Sequence, residues 1–300
     1  MRIGQTLGRG LAAAHGVLRG ALYLFLLHAP IQVLIAVAQG IPPSPRGEPG
    51  QKPGADQLVL TTGVSCGTFV FSLAVFFLFP LVLGGILGQV RDRLECPGQT
   101  PGPFGKYGRT FYSRLLGSQA LMTVLMFVLL LPVMAYAMWL AMQVEALGAP
   151  VDSREINVRL LSEPALLACM LVICLLASAV GIVYWVANCI VVSERECVFA
   201  SWRKSLRFCR DHFGAVLALW LVNLVAGLVM SPFALVGSLR FITHLWVLVP
   251  LAVVYAALIA YWGVVLAGLV MSLYLAGRPP TERVEAEEPV VAAPNPKLCT

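Results

Sequence analysis

Apolar residues in this chain fall into six long blocks separated by shorter polar stretches. A helix that crosses a hydrocarbon core of about 30 Å needs about 20 mainly apolar residues. Five blocks meet that length outright: 58–88, 115–143, 165–192, 214–238 and 245–276. The first block, 17–39, is interrupted by His28, Pro30 and Gln32, yet Leu22 to Leu27 and Ile31 to Ala38 keep it long enough to count as a span. The pattern predicts an all-α polytopic membrane protein of about six transmembrane helices. Residues 1–276 form the membrane domain, and 277–300, rich in Pro and Glu, form a disordered cytoplasmic tail. A cleaved signal peptide is the rival reading of the first block, since Arg2, Arg9 and Arg19 precede it and Ala36-Val37-Ala38 has the small-x-small form of a cleavage site. The long basic lead and the polar breaks favour retention.

Lys and Arg near span ends orient a bundle, because basic loops stay in the cytoplasm. Sixteen of them fall on one side: Arg2, Arg9 and Arg19; Arg91, Arg93, Lys106, Arg109 and Arg114; Arg195, Arg203, Lys204, Arg207 and Arg210; Arg278, Arg283 and Lys297. Five fall on the other: Arg46, Lys52, Arg154, Arg159 and Arg240. Both termini are therefore expected in the cytoplasm. Of the outer loops, 40–57 carries five prolines and reads as irregular, while 144–164 has the length for a short surface helix.

Composition agrees with this placement. Hydrophobic residues make up 59% of the 300 and charged residues 12%, against roughly 25% charged in an ordinary soluble domain. The formal charge of +6 sits beside apolar blocks and not on a soluble domain, so anionic membrane lipid is the expected counter-charge and nucleic acid is not. None of the eight cysteines falls in a spaced pair on the outer side, no C-x-x-C occurs, and neither a disulfide framework nor a zinc set is expected. No cofactor is called for.

The spans pair as one-two, three-four and five-six, each pair opening on a basic lead. Arg9, Arg109 and Arg203 mark the leads, Pro30, Pro132 and Pro232 follow in the odd-numbered spans, and two even-numbered spans share Tyr-Trp (Tyr184-Trp185 and Tyr261-Trp262). The expectation is three two-helix repeats with basic interfacial helices. Wound at 100° per residue, 197–213 places Val198, Phe199, Trp202, Leu206, Cys209 and Phe213 in one arc, with Arg203, Lys204, Arg207 and Arg210 in the next. Such a helix would lie in the headgroup plane, with Trp202 toward the acyl boundary and the cations on phosphates. Trp202, Arg203, Lys204, Arg207, Arg210 and, in the middle lead, Arg109 are the candidate lipid-headgroup residues. In the N-terminal lead Ile3, Leu7, Leu11 and Leu18 would form the apolar face.

The run Val192-Ser193-Glu194-Arg195-Glu196-Cys197-Val198-Phe199-Ala200-Ser201-Trp202-Arg203-Lys204-Ser205-Leu206-Arg207 resembles a segment of bacterial six-helix membrane protein families of uncharacterised function, and of the membrane domain that precedes some glycerophosphodiester phosphodiesterases. The resemblance implies a multi-pass protein of the bacterial inner membrane. It implies no phosphodiester chemistry, because the soluble catalytic domain of those enzymes is absent.

Charge inside hydrocarbon is costly, so an intramembrane ionisable residue is a functional candidate by default. The blocks hold no Asp, Glu or Lys. His28, Gln32, Gln119, Asn188 and Asn223 are the candidate intramembrane polar cluster, serving helix packing or a substrate path. Gly63 with Gly67 and Gly84 with Gly88 give G-x-x-x-G spacings that predict close helix packing. Asp211 and His212 lack a nucleophile or metal partner, and no phosphate-binding glycine loop occurs. The chain is therefore expected not to be an enzyme. Envelope organisation, assembly or lipid interaction is the expected role; the alternative is a small transporter or channel for a lipid-like or amphipathic solute.

Overall fold

A computed structural model describes residues 3–40, 55–146, 164–238 and 245–278. Eight helices make up these residues, and no strand occurs among them. They are α1 (Ile3–His15), α2 (Leu18–Gly40), α3 (Ala55–Glu95), α4 (Phe104–Ala146), α5 (Pro164–Glu194), α6 (Val198–Asp211), α7 (Phe213–Ser238) and α8 (Leu245–Gly277). Six of them, α2, α3, α4, α5, α7 and α8, are long and apolar enough to cross a membrane. The protein is thus an all-α, multi-pass membrane protein. The outer arginines and lysines, Cys299, most of the 40–57 and 144–164 loops and the tail beyond 278 lie outside the described residues.

The polar leads are helical to different extents. Residues 104–114 continue directly into the third span as one helix of 43 residues, because nothing between Phe104 and Leu115 breaks the backbone hydrogen-bond ladder. The third lead is a separate helix, α6, set off from α5 by Arg195, whose backbone takes the left-handed conformation (φ 55°). Arg114 donates a hydrogen bond to the Arg195 carbonyl and helps hold that turn. Pro30, Pro80, Pro132 and Pro250 all lie inside helices that continue past them.

Packing is concentrated at the end of the bundle that carries the basic leads. There the last turns of α3 (Val82, Leu83, Ile86, Leu87, Val90) meet the start of α4 (Phe111, Leu115), the end of α5 (Ile182 to Val192) and the end of α8. The final turns of α8 are buried on every side, from Val264 to Tyr274. That accords with its place at the centre, packed against α1, α2, α3, α5 and α7. The opposite halves of the helices expose large apolar side chains, including Phe69, Phe127, Met138, Leu171, Val229 and Trp246, which in a membrane protein need no aqueous shielding.

Small residues set the closest approaches. A Cβ added at Gly84 would lie 3.1 Å from Leu115 and 3.2 Å from the Gly108 Cα, and one at Gly88 would enter the Tyr107 ring, so α3 and α4 touch backbone to backbone here. Of the two G-x-x-x-G spacings this is the one that packs tightly. Gly63 has open space around it, and Gly67 meets only Leu34 at ordinary contact distance. At the other contact, Gly10 of α1 lies directly on Gly268 of α8, with Ala13 and Ala14 buried beside it. The N-terminal helix therefore buries its small residues, whereas Ile3, Leu11 and Leu18 of the expected apolar face are exposed.

Candidate functional site

The basic end of the bundle is held by acidic residues that lie between the arginines. Glu194, at the end of α5, is nearly buried (8% side-chain exposure) and accepts a hydrogen bond from Lys204 Nζ at 2.7 Å. It also accepts one from the Tyr274 hydroxyl and stands 3.9 Å from Arg278 Nε. Lys204 bridges onward to Glu196 at 2.8 Å. Four segments, α5, the 195–197 turn, α6 and the end of α8, are thereby tied to one carboxylate. Burial works against the Lys204 charge, but the hydrogen bonds and charges of Glu194 and Glu196 outweigh it, so its pKa lies above the ordinary lysine value.

A second group stands at the α3 terminus. Arg91 donates to the Val192 carbonyl at 2.9 Å and pairs with Asp92 at 3.1 Å and Glu95 at 3.5 Å. Asp92 in turn accepts from the Tyr107 hydroxyl and from the Gly102 N–H. Together the two groups join α3, α4, α5, α6 and α8 by charge-assisted hydrogen bonds, the stronger class of hydrogen bond.

Sequence reasoning weighed the basic residues of this region for orientation and passed over Asp92, Glu95, Glu194 and Glu196. The signal for them was present. Arg91 and Glu95 stand at i,i+4 on one helix, and Glu194 and Glu196 are two acids set within a basic stretch, which a purely headgroup-binding segment does not require.

The structure places the expected lipid-contact residues on different faces. Trp202 is turned inward. It is 8% exposed, its indole N–H donates to Ser118 Oγ at 3.1 Å, and its ring lies near Tyr184. The buried face of α6 consists of Ser201, Trp202, Ser205 and Phe208, while Phe199, Leu206 and Phe213 are exposed. Trp202 thus departs from the expected lipid-facing arc, in which Phe199, Leu206 and Phe213 remain exposed, and the reason is physical. Ser201 and Ser205 satisfy their hydroxyls on carbonyls of their own helix, at 2.7 and 2.8 Å. Being small, they let α6 approach the bundle, whereas apolar side chains beside lipid gain nothing by turning inward. Lys204 is engaged by Glu194 and Glu196, and Arg210 pairs with Asp211 at 3.1 Å on the surface. Arg203, Arg207 and Arg109 are exposed.

The expected intramembrane polar residues stand in three separate places. Gln119 accepts from the Tyr184 hydroxyl at 3.1 Å, and Asn188, fully buried one helical turn along α5, faces the same hydroxyl. Asn223 accepts from Trp262 Nε1 at 3.0 Å, which joins α7 to α8. His28 bonds its own helix at the Leu24 carbonyl (2.8 Å) and lies edge-on to Phe79, and Gln32 is half-buried farther along α2. No group of three or more His, Cys, Asp or Glu is placed to hold a metal ion among the described residues.

A family described as "Domain of unknown function (DUF7847)" matches residues 1–277, which covers every described helix. The chain belongs to this family. No curated protein and no solved structure matches it. In this DUF7847 chain the match spans the whole of α6 and both ion-pair groups except Arg278.

Proposed function

We propose that the chain is a non-enzymatic protein of the bacterial inner membrane, with both termini in the cytoplasm, that engages anionic lipid headgroups through the outer face of α6 and acts in envelope organisation or assembly. One observation carries the reading: Arg203 and Arg207 are exposed on α6 beside exposed Phe199 and Leu206, while the neighbouring acids Glu194 and Glu196 are occupied by Lys204. Two uncompensated guanidinium groups flanked by apolar side chains suit the boundary between headgroups and acyl chains. The dispersal of His28, Gln119 and Asn223 over three sites favours this reading over a continuous polar path for a solute.

Native mass spectrometry of the detergent-purified protein tests it, with Arg203→Gln/Arg207→Gln set beside the exposed Lys106→Gln. Retained phosphatidylglycerol that falls only in the α6 variant supports the proposal. Equal losses in both variants, or none in either, overturn it.

A further inference from the structure

A second basic feature lies away from α6. A cleft of about 710 Å³ opens between α1, the last turns of α3 and the 96–103 connection, lined among others by Arg9, Ala13, Arg93, Gly98 and Thr100. Two arginines line it and no acid does. The acids of the same α3 terminus are engaged elsewhere, Asp92 by Tyr107, Gly102 and Arg91 and Glu95 by Arg91. Neither Arg9 nor Arg93 has an ion pair among the described residues, and the Nε of Arg93 is buried without a hydrogen-bond partner. A buried, unmet guanidinium donor costs free energy unless a ligand completes it.

The surroundings hold that donor in place. The Arg93 guanidinium lies against Gly16 at the corner between α1 and α2, where a Cβ would collide with it. The facing wall is fixed as well. Gly102 is held by the Asp92 carboxylate and by Gln89, each at 3.2 Å, and Gln99 N–H bonds the Cys96 carbonyl at 3.2 Å. Gly98 turns the wall at φ 98°, in the left-handed region that favours glycine. A preformed concave space with a few polar groups in its lining is the usual form of a small-ligand site; here those groups include two guanidiniums, whose forks match phosphate oxygens.

We propose that this cleft binds a phosphate group, carried by a lipid headgroup or free in solution. The site is built from elements other than α6 and does not depend on the function proposed above. Its test uses the full-length protein, with Arg9→Gln and Arg93→Gln against the exposed Lys106→Gln. Arg9 is exposed on α1, so its variant keeps the test readable if Arg93→Gln unsettles the fold. Two probes separate the sources: inorganic phosphate, read by thermal unfolding in a nonionic detergent, and phosphatidylglycerol in nanodiscs against phosphatidylcholine, read by native mass spectrometry after release.

Loss of one charge-assisted contact should weaken binding about ten-fold or more. Stabilisation by inorganic phosphate that both cleft variants lose assigns the site to free phosphate. Phosphatidylglycerol retention that both lose assigns it to the headgroup, and loss of both responses shows that the phosphate group itself is read. Absence of both responses in the unmodified protein, or an equal change in Lys106→Gln, overturns the proposal. Phosphatidylglycerol loss confined to Arg203→Gln/Arg207→Gln would overturn the lipid arm here while leaving the α6 reading standing.

Discussion

Replacing Glu194 by Gln removes the charge on which α5, α6 and α8 converge, and the structure sets the size of the loss. The Tyr274 hydroxyl bond to a carboxylate belongs to the charge-assisted class, with a net contribution of about 1.5–3 kcal/mol. Lys204 is 41% exposed and keeps Glu196, so its share is discounted for solvent screening to no more than about 1 kcal/mol. Arg278 has 9% side-chain exposure and stands 3.9 Å from the carboxylate; loss of that nearby charge adds to the cost, and the sum comes to about 3 kcal/mol, at the lower edge of what breaking a buried pair costs. At roughly 2 °C per kcal/mol for a chain of this size, Glu194→Gln should lower the melting temperature by about 6 °C. Intrinsic tryptophan fluorescence of the detergent-solubilised protein reads the transition, because Trp202 lies on the helix that is released. Glu196→Gln is the matched control. That side chain is 32% exposed and meets only Lys204 among these partners, so its loss should stay below about 1 kcal/mol. Equal shifts in the two variants, or a Glu194→Gln transition within about 1 °C of the unmodified protein, would refute the reasoning.

Three further outcomes are expected. Gly108→Ala should destabilise by about 1–3 kcal/mol, since its Cβ would come 2.5 Å from the Leu81 carbonyl oxygen, while Gly63→Ala, in open space, should be neutral or slightly stabilising; thermal melts of the two side by side decide this. The Lys204 pKa is raised in the folded state, so its contribution to stability is complete below the unfolded lysine value of 10.5 and is lost as pH rises toward the folded one; a melting-temperature profile above that pH should fall less steeply in Lys204→Met than in the unmodified protein. Cys96 is exposed in the connection at the basic end, whereas burial pushes the half-buried Cys209 thiol up to about 11; an impermeant maleimide should label Cys96 from the cytoplasmic side, with Cys209 much slower, and labelling of Cys96 from the opposite side would reverse the proposed orientation.

The membrane class and the six long helices were legible in the sequence because hydrocarbon leaves a chain few choices: a long apolar block must be a helix. The close approach at Gly84 and Gly88 was legible for a similar reason, since small residues four apart leave a groove. The inward turn of Trp202 was not. Periodicity groups it with Phe199 and Leu206 on the lipid-facing arc, but it is drawn in by Ser118 and by the room that Ser201 and Ser205 leave. The ion pairs within α3 and around α6 are local and left a signal, but the contacts that join them to other helices are not: Glu194 meets Tyr274 across 80 residues and Arg91 meets Val192 across 101. The Arg9 and Arg93 cleft was hidden in the same way, its two cations belonging to helices that only the fold brings side by side.

The one-sided packing gives α7 an unusual mechanical position. The helix has 26 residues and is about 39 Å long, yet Leu219, two turns from its start, is the only fully buried side chain among those described along it. Its hold lies near one end: Asn223, about 6 Å farther along the axis, accepts from Trp262 of α8. A tilt of about 10° around Leu219 would carry Val229, about 15 Å along the axis, sideways by about 2.6 Å and would shift Asn223 by about 1 Å. Because α6 runs into the short arm at His212 and Phe213, a rotation of α6 would be felt first at the Asn223–Trp262 bond.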